Sequence, residues 1–432
     1  MVPSVRLLWI AGAAVIPASA IAGLVPAARP FAFALAVTFA LAAVIDAWLS
    51  RDLPKRIRVE AESPLRTYKD RAAIVRVVCR GGAGERVRLG IAWPESLQAE
   101  FDEQAAVIPA TGAAEISWPI TPSRRGAYLI DTVHVETPSR LGLWDVRSSV
   151  KVKLEVEVFP SLWETEDVLA LRRNTLGSFS QRQVGKGREF EKLREYLPGD
   201  GFDEIHWKAT ARRARPVTKV FQVERTREVY IAIDASRLSG RAAERETRLE
   251  RYIATALVMS AAAERHGDLF GLITFQDRVV DFIRAGKGSP HRAACRKALQ
   301  RIHTRSTAPD FGEVATQLRL QLRGRALILF LTDLDDTVAA REFADASRFL
   351  AHKHLVAAAM IRPAVAMPVF QGNAETEEEI YQRMGGHLVW KGLKTTESAL
   401  RRAGIRFGVF EEKTLSAEVA ALYGDIKQRQ LL

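Results

Sequence analysis

Two apolar runs at the N-terminus limit the possible folds of this chain more than any other feature. They extend from Leu7 to Val25 and from Phe31 to Leu49, and the first charge within them is Asp46. Each run has about 19 residues, which as a helix is roughly 28 Å long and matches the core of a lipid bilayer. The connection from Pro26 to Pro30 is too short for anything but a tight hairpin. The sequence therefore predicts a transmembrane helical hairpin within residues 1–54, with helices at about 7–25 and 31–49.

The charges that flank the two runs predict the orientation of the chain. Four basic residues follow the second run, whereas the connection holds only Arg29; the four are Arg51, Lys55, Arg56 and Arg58. The positive-inside rule then places both termini and the soluble domains on the cytoplasmic side of a membrane, in a multi-pass protein. A secretory signal peptide and a helical hairpin buried in a soluble protein are the alternatives.

Length, charge and cysteine content set broad limits on the remainder. A chain of 432 residues predicts two or three domains. Its formal net charge of +12 is compatible with nucleic acid, anionic lipid or an acidic protein as partner and selects none of them. The two cysteines, Cys79 and Cys295, are far apart in the chain, so no disulfide framework is indicated.

The chain beyond residue 54 divides into three regions. Residues 55–160 alternate between short β-rich runs and Gly, Pro or Ser clusters, which predicts an all-β sandwich. Residues 161–225 form a mostly polar connector, with a helix predicted over residues 203–213. Residues 226–432 alternate apolar strands with helices, which predicts a doubly wound α/β domain with a parallel sheet. Its predicted elements include a helix at about 242–266 and strands at 269–275, 326–331 and 355–361. The strands predicted for the sandwich are 57–60, 73–79, 87–93, 115–120, 128–136 and 152–158.

Two predicted strands of the α/β domain end in acidic residues. Asp234 and Ser236 follow one strand, and Thr332 and Asp333 follow another. In a doubly wound sheet the carboxyl ends of neighbouring strands meet in the crevice where ligands bind. Carboxylate and hydroxyl oxygens suit Mg²⁺. The four residues are therefore a degenerate metal site, or else the two acids cap helices and hold loop backbone.

The strand-end residues resemble the metal-ion-dependent adhesion site of von Willebrand factor type A domains. That family has an Asp-x-Ser-x-Ser loop, a distant Thr and an Asp after a later strand. The loop from Asp234 to Leu238 keeps the Asp and the first Ser, but Leu238 stands at the third ligand position. Ser239 is one residue late, and Asp310 is an alternative oxygen ligand. The resemblance implies a type A-like α/β domain, with Mg²⁺ as its only implied cofactor.

The connector carries a denser motif. It runs from Phe190-Glu191-x-Leu193-Arg194-Glu195-Tyr196-x-Pro198-Gly199-Asp200 through Ile205-His206-Trp207-Lys208-Ala209-x-Ala211-Arg212 to Thr218-Lys219-x-Phe221. This pattern resembles the signature of the domain of unknown function 58 family, which leads into a type A-like domain. The resemblance implies a non-catalytic, membrane-anchored scaffold or adaptor. It also implies that the scaffold works with a MoxR-type AAA+ ATPase and its client in assembling or activating a complex.

The connector also supplies the candidate partner-binding residues. They are polar or aromatic members of the motif: Arg194, Asp200, Trp207, Lys208, Arg212 and Lys219. Acidic residues lie between the basic ones, and mixed charge suits a protein interface better than a phosphate track. Trp and Arg are also enriched in interface hot spots. The alternative is that Trp207 packs the connector helix against its own domain and that Asp200 caps this helix.

Three other functions remain as alternatives to the scaffold. The first is an adhesion-type module that depends on a divalent cation. The second is a hydrolase built on His206 with Asp203 and Glu204, but no Gly-x-Ser-x-Gly nucleophile elbow occurs. The third is nucleic-acid binding, against which the lack of unopposed basic runs and of an aromatic stacking platform counts. We therefore expect neither catalysis nor a nucleic-acid partner.

Overall fold

The computed structural model describes residues 1–160, 184–185, 189–197, 201–222, 227–242, 246–368 and 376–429. The chain divides into two compact units, Met1–Ser161 and Leu162–Leu432. The first unit contains apolar helices and two β-sheets, and the second contains a small antiparallel sheet and a large, mostly parallel one. The chain is thus multidomain and rich in sheet.

Two helical segments at the N-terminus are long and apolar enough to cross a membrane, Val5–Leu24 and Pro26–Arg56. The first consists of α1 (Val5–Ile10), a π-helical turn (Ala11–Val15) and α2 (Ile16–Leu24). Pro17 is the second residue of α2, one position beyond Ile16 after the π turn, which suits a residue that has no N–H and whose ring needs space in the preceding turn. The second contains α3 (Arg29–Ser50).

Two sheets, antiparallel except for the parallel pair of β3 and β10, pack around one apolar core in the first unit. Strands β2 (Arg58–Ala61), β4 (Ala73–Arg80), β8 (Ala113–Pro122) and β6 (Leu97–Ala99) pair in that order. The second sheet has the order β1 (Val2–Pro3), β10 (Trp144–Phe159), β9 (Gly126–Pro138), β5 (Arg86–Gly90) and β7 (Glu103–Val107), with β3 (Leu65–Tyr68) on β10. Sequence patterning did not predict β3, β6 and β7, which are short.

The turn between β9 and β10 is bonded to the apolar helices by a buried polar network. Asp46 of α3 is only 1% exposed. Its carboxylate accepts hydrogen bonds from the Ser139 hydroxyl at 2.5 Å and from the Leu141 amide at 3.0 Å. The Trp144 indole N–H donates to the Ala43 carbonyl at 2.8 Å. The one acid in the apolar runs therefore fixes the sandwich to the second helix.

The same turn also contacts the start of α1. Gly142 has a φ of +72°, a backbone conformation that glycine adopts without strain. Its carbonyl accepts a hydrogen bond from the Ser4 hydroxyl at 2.6 Å, and the Ser4 amide donates to the Leu143 carbonyl at 2.9 Å. Both apolar helices are thus bonded to residues 139–143, which we call the tip loop.

The large sheet of the second unit has six strands in the order β16-β15-β14-β17-β18-β19. Their bounds are β14 Glu228–Asp234, β15 Leu269–Phe275, β16 Val279–Gly286, β17 Ala326–Leu331, β18 Leu355–Ile361 and β19 Arg406–Phe410. All neighbours are parallel except β15 and β16, which are antiparallel. From β14 the chain goes first to β15 on one side and later to β17 on the other. The direction of winding therefore reverses at β14.

Helices cover both faces of this sheet because its strands are apolar on both faces. Val229 and Ile231 point into one core and Tyr230 and Ala232 into the other. The first core contains α5 (Arg248–Arg265), α6 (Ser289–Arg301) and α10 (Leu415–Gln428). The second contains α7 (Phe311–Gln321), α8 (Thr337–Ala351) and α9 (Glu377–Arg402).

The connector differs from its prediction. It contains an antiparallel sheet of β11 (Val184–Gly185), β13 (Val217–Gln222) and β12 (Glu189–Glu195). The helix predicted over 203–213 is shorter: α4 spans Trp207–Arg213 and follows a 3₁₀ turn, Phe202–Glu204. Pairing with a neighbouring strand, which periodicity does not detect, explains the missed sheet.

Candidate functional site

The connector positions its motif on a strand pair and one short helix. β12 and β13 pair in antiparallel register, with Arg194 opposite Thr218 and Leu193 opposite Lys219. The chain between them forms the 3₁₀ turn and α4, and Ile205 makes an isolated bridge to Thr218. Ile205 is buried and fixes this excursion to the sheet. The residues on either side of it therefore project from a supported turn.

Three large apolar side chains of this excursion are exposed. Leu197 is 57%, Phe202 76% and Trp207 67% exposed. Phe202 also lies beside Tyr196, with 6.4 Å between their ring centroids. We call Leu197, Phe202 and Trp207 the connector patch. Exposed apolar patches can mark a surface that another molecule covers, so these three side chains are candidates for such a surface.

Basic residues adjoin the connector patch. Lys208 and Arg212 are exposed on α4. Arg194 is half-buried, and its guanidinium donates to the Glu195 carbonyl at 3.2 Å. Lys219 belongs to β13, and Asp200 lies outside the described residues. The structure therefore shows the exposure of Lys208 and Arg212 and a contact of Arg194. The role of these residues in binding a partner stays a prediction.

The start of α4 corrects one of the sequence-based alternatives. Trp207 is exposed, so it does not pack α4 against its own domain. The N-cap of α4 is His206, whose Nδ1 accepts a hydrogen bond from the Ala209 amide at 3.0 Å. Because the helix backbone occupies Nδ1 of His206, only Nε2 remains for proton transfer.

At the carboxyl edge of the large sheet, Asp234 organises the loop after β14. It is fully buried, and its carboxylate accepts from the Ser236 amide at 2.7 Å and from the Thr332 hydroxyl at 2.6 Å. Burial raises the pKa of Asp234, although the hydrogen bonds from Thr332 and Ser236 oppose that rise. Asp234 thus holds loop backbone and links the ends of β14 and β17.

Asp333 is neutralised by a residue that the sequence did not indicate. Its carboxylate forms a buried ion pair with Arg248 and accepts a hydrogen bond from the Tyr252 hydroxyl at 3.1 Å. Burial raises the pKa of Asp333 to about 6, and the nearby Arg248 limits the rise. Burial lowers the pKa of Arg248, but the attraction of Asp333 outweighs it, so the pKa rises overall. The pair is therefore charged at neutral pH.

Sequence reasoning missed Arg248 and Tyr252 because the helix was predicted to begin near residue 242, whereas α5 begins at Arg248. A signal was nevertheless present. Buried acids need a cation, and the two residues are four apart, a spacing that places side chains on one face of a helix. A second ion pair, from Arg241 to Asp335 at 2.7 Å, lies at the same edge and is partly exposed.

The residues at this edge do not fit a resident divalent cation. Leu238, at the third ligand position, is buried and apolar. The Ser236 hydroxyl accepts from the Leu238 amide at 3.3 Å, and Asp310 caps α7 by accepting from the Glu313 amide at 2.9 Å. Within the described ranges, no group of three or more His, Cys, Asp or Glu side chains is arranged to hold a metal. The four predicted ligands are close, but they are committed to protein contacts.

Comparisons with known proteins were made for the whole chain. The SpRpn10 VWA domain is 11% identical with a TM-score of 0.28, over 45% of this chain and 93% of that one. An aerotolerance-related membrane protein from Bacteroides fragilis is 15% identical with a TM-score of 0.27, over 44% and 96%. The PapD-like domain 7 of human CEP192 is 10% identical with a TM-score of 0.20, over 26% and 88%. These scores are low, so the strand order, not these similarities, establishes the fold.

The search of curated proteins found no match. The family model described as "Protein of unknown function DUF58" matches residues 192–370. This match begins within β12 and includes the connector patch, Asp234, Arg248 and Asp333. The resemblance predicted from the connector motif is therefore confirmed, since residues 192–370 match the DUF58 family model.

Proposed function

We propose that this chain is a non-catalytic scaffold, anchored in the bacterial inner membrane, that binds protein partners through its cytoplasmic α/β unit. The partners are a MoxR-type AAA+ ATPase and its client, as the family resemblance implies. The observation that carries the proposal is the connector patch, in which Phe202 and Trp207 are exposed beside the basic helix α4.

The character of the connector patch supports a protein partner. Protein interfaces have an apolar, aromatic centre and a polar rim, and Trp and Arg contribute most to their binding energy. Arg212 and Arg213 are exposed in the last turn of α4, whereas Arg215 pairs with Glu195 at 3.0 Å. An acidic and apolar protein surface complements this arrangement. A nucleic acid would favour basic residues without such a carboxylate among them.

The sheet edge supports a binding role without catalysis. Asp234 and Asp333 are fully buried, and both carboxylates are engaged by neighbouring side chains. A general acid or base must reach the substrate proton within hydrogen-bond distance. Neither acid has that access in this arrangement. At the connector, His206 uses one ring nitrogen as a helix cap.

The N-terminal helices support membrane anchoring. Outward-facing apolar side chains dominate them, including Leu8, Trp9, Phe31 and Phe33. Asp46, the acid in the second helix, is turned toward the tip loop instead of toward the surroundings. This is the expected placement of a carboxylate in a membrane-spanning segment, where polar groups pair within the protein. The basic residues after α3 favour a cytoplasmic location for both units.

A pull-down tests the scaffold function. The full-length protein in detergent is immobilised and incubated with a purified MoxR-type ATPase, with ATP and Mg²⁺ or without them. We expect the wild type to retain the ATPase, and Trp207→Ala to retain at least tenfold less. Such a loss is what removal of a hot-spot side chain, worth about 2 kcal/mol, produces. Arg212→Glu is expected to weaken retention of the ATPase most strongly at low salt, because the new negative charge repels an acidic partner.

Matched controls come from α7. Leu320→Ala removes an exposed apolar side chain, 74% accessible, and Arg319→Glu reverses an exposed charge. Both are expected to bind the ATPase as the wild type does. Equal retention by Trp207→Ala and Leu320→Ala would exclude the connector patch as the binding surface. Retention of DNA that high salt abolishes would instead support nucleic-acid binding.

A further inference from the structure

We propose that Arg248 takes the place of a divalent cation at the carboxyl edge of the large sheet, so that this site binds no metal. The resemblance to type A domains implies Mg²⁺ at this edge, whereas the contacts assign the positive charge to an arginine of the chain itself. The proposal stands independently of the scaffold function, because metal binding is measured directly.

The first argument is that the ligand atoms are already engaged. Asp234 uses its two carboxylate oxygens for Ser236 and Thr332, at 2.7 and 2.6 Å. Asp333 uses one oxygen for the Tyr252 hydroxyl and the other for the Arg248 guanidinium. A cation would have to displace four contacts in a buried site. Among the described residues, the Ser239 hydroxyl is the uncommitted buried oxygen of this loop, and it lies one position beyond the ligand pattern.

The second argument concerns charge. Buried carboxylates are tolerated when they are paired, and Mg²⁺ and a guanidinium both supply that pairing. With Arg248 against Asp333, a divalent ion at the same place would meet a fixed positive charge at close range. The two cations therefore exclude each other.

The third argument is that Arg248 is held in position. It is the first residue of α5 and is 7% exposed, and its amide donates to the Arg241 carbonyl at 3.1 Å. Tyr252, one turn later, contacts the same carboxylate and is fully buried. The N-terminus of a helix also carries partial positive charge, which favours an anion beside it. Arg248, Tyr252 and the N-terminus of α5 thus all stabilise the carboxylate of Asp333.

The test is a Mn²⁺ titration of the full-length protein in detergent. Electron paramagnetic resonance measures the concentration of free Mn²⁺ at each step, and the difference from the total gives the bound ion. Mn²⁺ takes the same oxygen ligands as Mg²⁺. We expect the wild type and Asp234→Asn to bind the same amount of Mn²⁺, since neither has a metal at this edge. One additional Mn²⁺ per wild-type chain, lost in Asp234→Asn, would overturn the proposal.

Removing the arginine charge gives the complementary measurement. Arg248→Met and Arg248→Gln leave Asp333 without its cation, and we expect each to gain one Mn²⁺ per chain that the further change Asp234→Asn abolishes. Arg248→Lys keeps the charge and is expected to gain none. If either neutral variant folds and gains no Mn²⁺, Arg248 is not what excludes the metal. If neither folds, the comparison of wild type with Asp234→Asn still decides whether a metal is present.

Discussion

Asp46→Ala is the most informative single change in the first unit, because it removes a carboxylate of α3 that accepts two hydrogen bonds from the tip loop. In the folded protein the carboxylate accepts from the Ser139 hydroxyl at 2.5 Å and from the Leu141 amide at 3.0 Å. The change leaves both donors without this partner. Each unsatisfied buried donor costs about 1–3 kcal/mol, so the two together cost roughly 2–6 kcal/mol.

Part of that cost is offset because the variant no longer buries a carboxylate. We therefore expect opening of the tip loop to become easier by about 2 kcal/mol, which corresponds to roughly a 30-fold larger open population. Hydrogen–deuterium exchange of residues 139–144 in the full-length protein in lipid nanodiscs measures this population. Trypsin cleavage after Arg140 gives a second reading, since the loop must open to enter the protease.

Thr38→Val is the matched control for this prediction. Thr38 lies in the same helix, but its hydroxyl donates only to the Ala34 carbonyl of its own helix, at 2.8 Å. We expect this variant to exchange in the tip loop at the wild-type rate. Equal exchange in Asp46→Ala and Thr38→Val would refute the reasoning, because the carboxylate would then contribute nothing to holding the loop.

Two further predictions concern the second unit. Asp268→Asn should lower the free energy of unfolding by about 2 kcal/mol, less than the 3–5 kcal/mol typical of a fully buried ion pair, because its partner Lys427 is partly exposed. Thermal melts against Asp425→Asn check this, since Asp425 forms only surface pairs with Arg429 and Arg406, which solvent screens. Equal losses in the two variants would contradict the prediction. Burial, and secondly the adjacent Lys353, lowers the pKa of His354 below its usual 6.5, so its contribution to stability is complete above pH 6.5 and decreases as the pH falls below that value. Melting temperatures at pH 7.5 and 5.5 should differ less in His354→Gln than in the wild type, and an unchanged difference would show that His354 is not involved.

The sequence predicted much of the α/β unit because its signals are local and strong. The strands Leu269–Phe275, Ala326–Leu331 and Leu355–Ile361 have the predicted bounds, since continuous apolar runs between helices leave little choice. The boundaries of α5 were less accurate. Its start, predicted near residue 242, lies at Arg248, because Ala242 forms an isolated antiparallel bridge with Thr247 and the Arg248 amide donates to the Arg241 carbonyl.

The candidate site was predicted only in part, because the partners of its acidic residues are distant in the sequence. The position of Asp234 and Asp333 at strand ends can be read from short segments of sequence. Their partners cannot, because Tyr252 is 81 residues from Asp333 and Thr332 is 98 residues from Asp234. The exposure of Trp207 likewise depends on how the connector folds on its strand pair. From the residue type alone, Trp207 could either pack against its own domain or be exposed at an interface.

The sequence alone determined the two apolar helices, the β-structure that follows them, the α/β unit and its resemblance to the DUF58 family, because these properties depend on run lengths, periodicity and a dense local motif. Only the tertiary structure decided which charges meet. It placed Asp46 against the tip loop and Arg248 against Asp333, and it left Phe202 and Trp207 uncovered. Whether a charge can be buried depends on partners that are distant in the chain. A local sequence pattern does not show which distant residues will lie beside it.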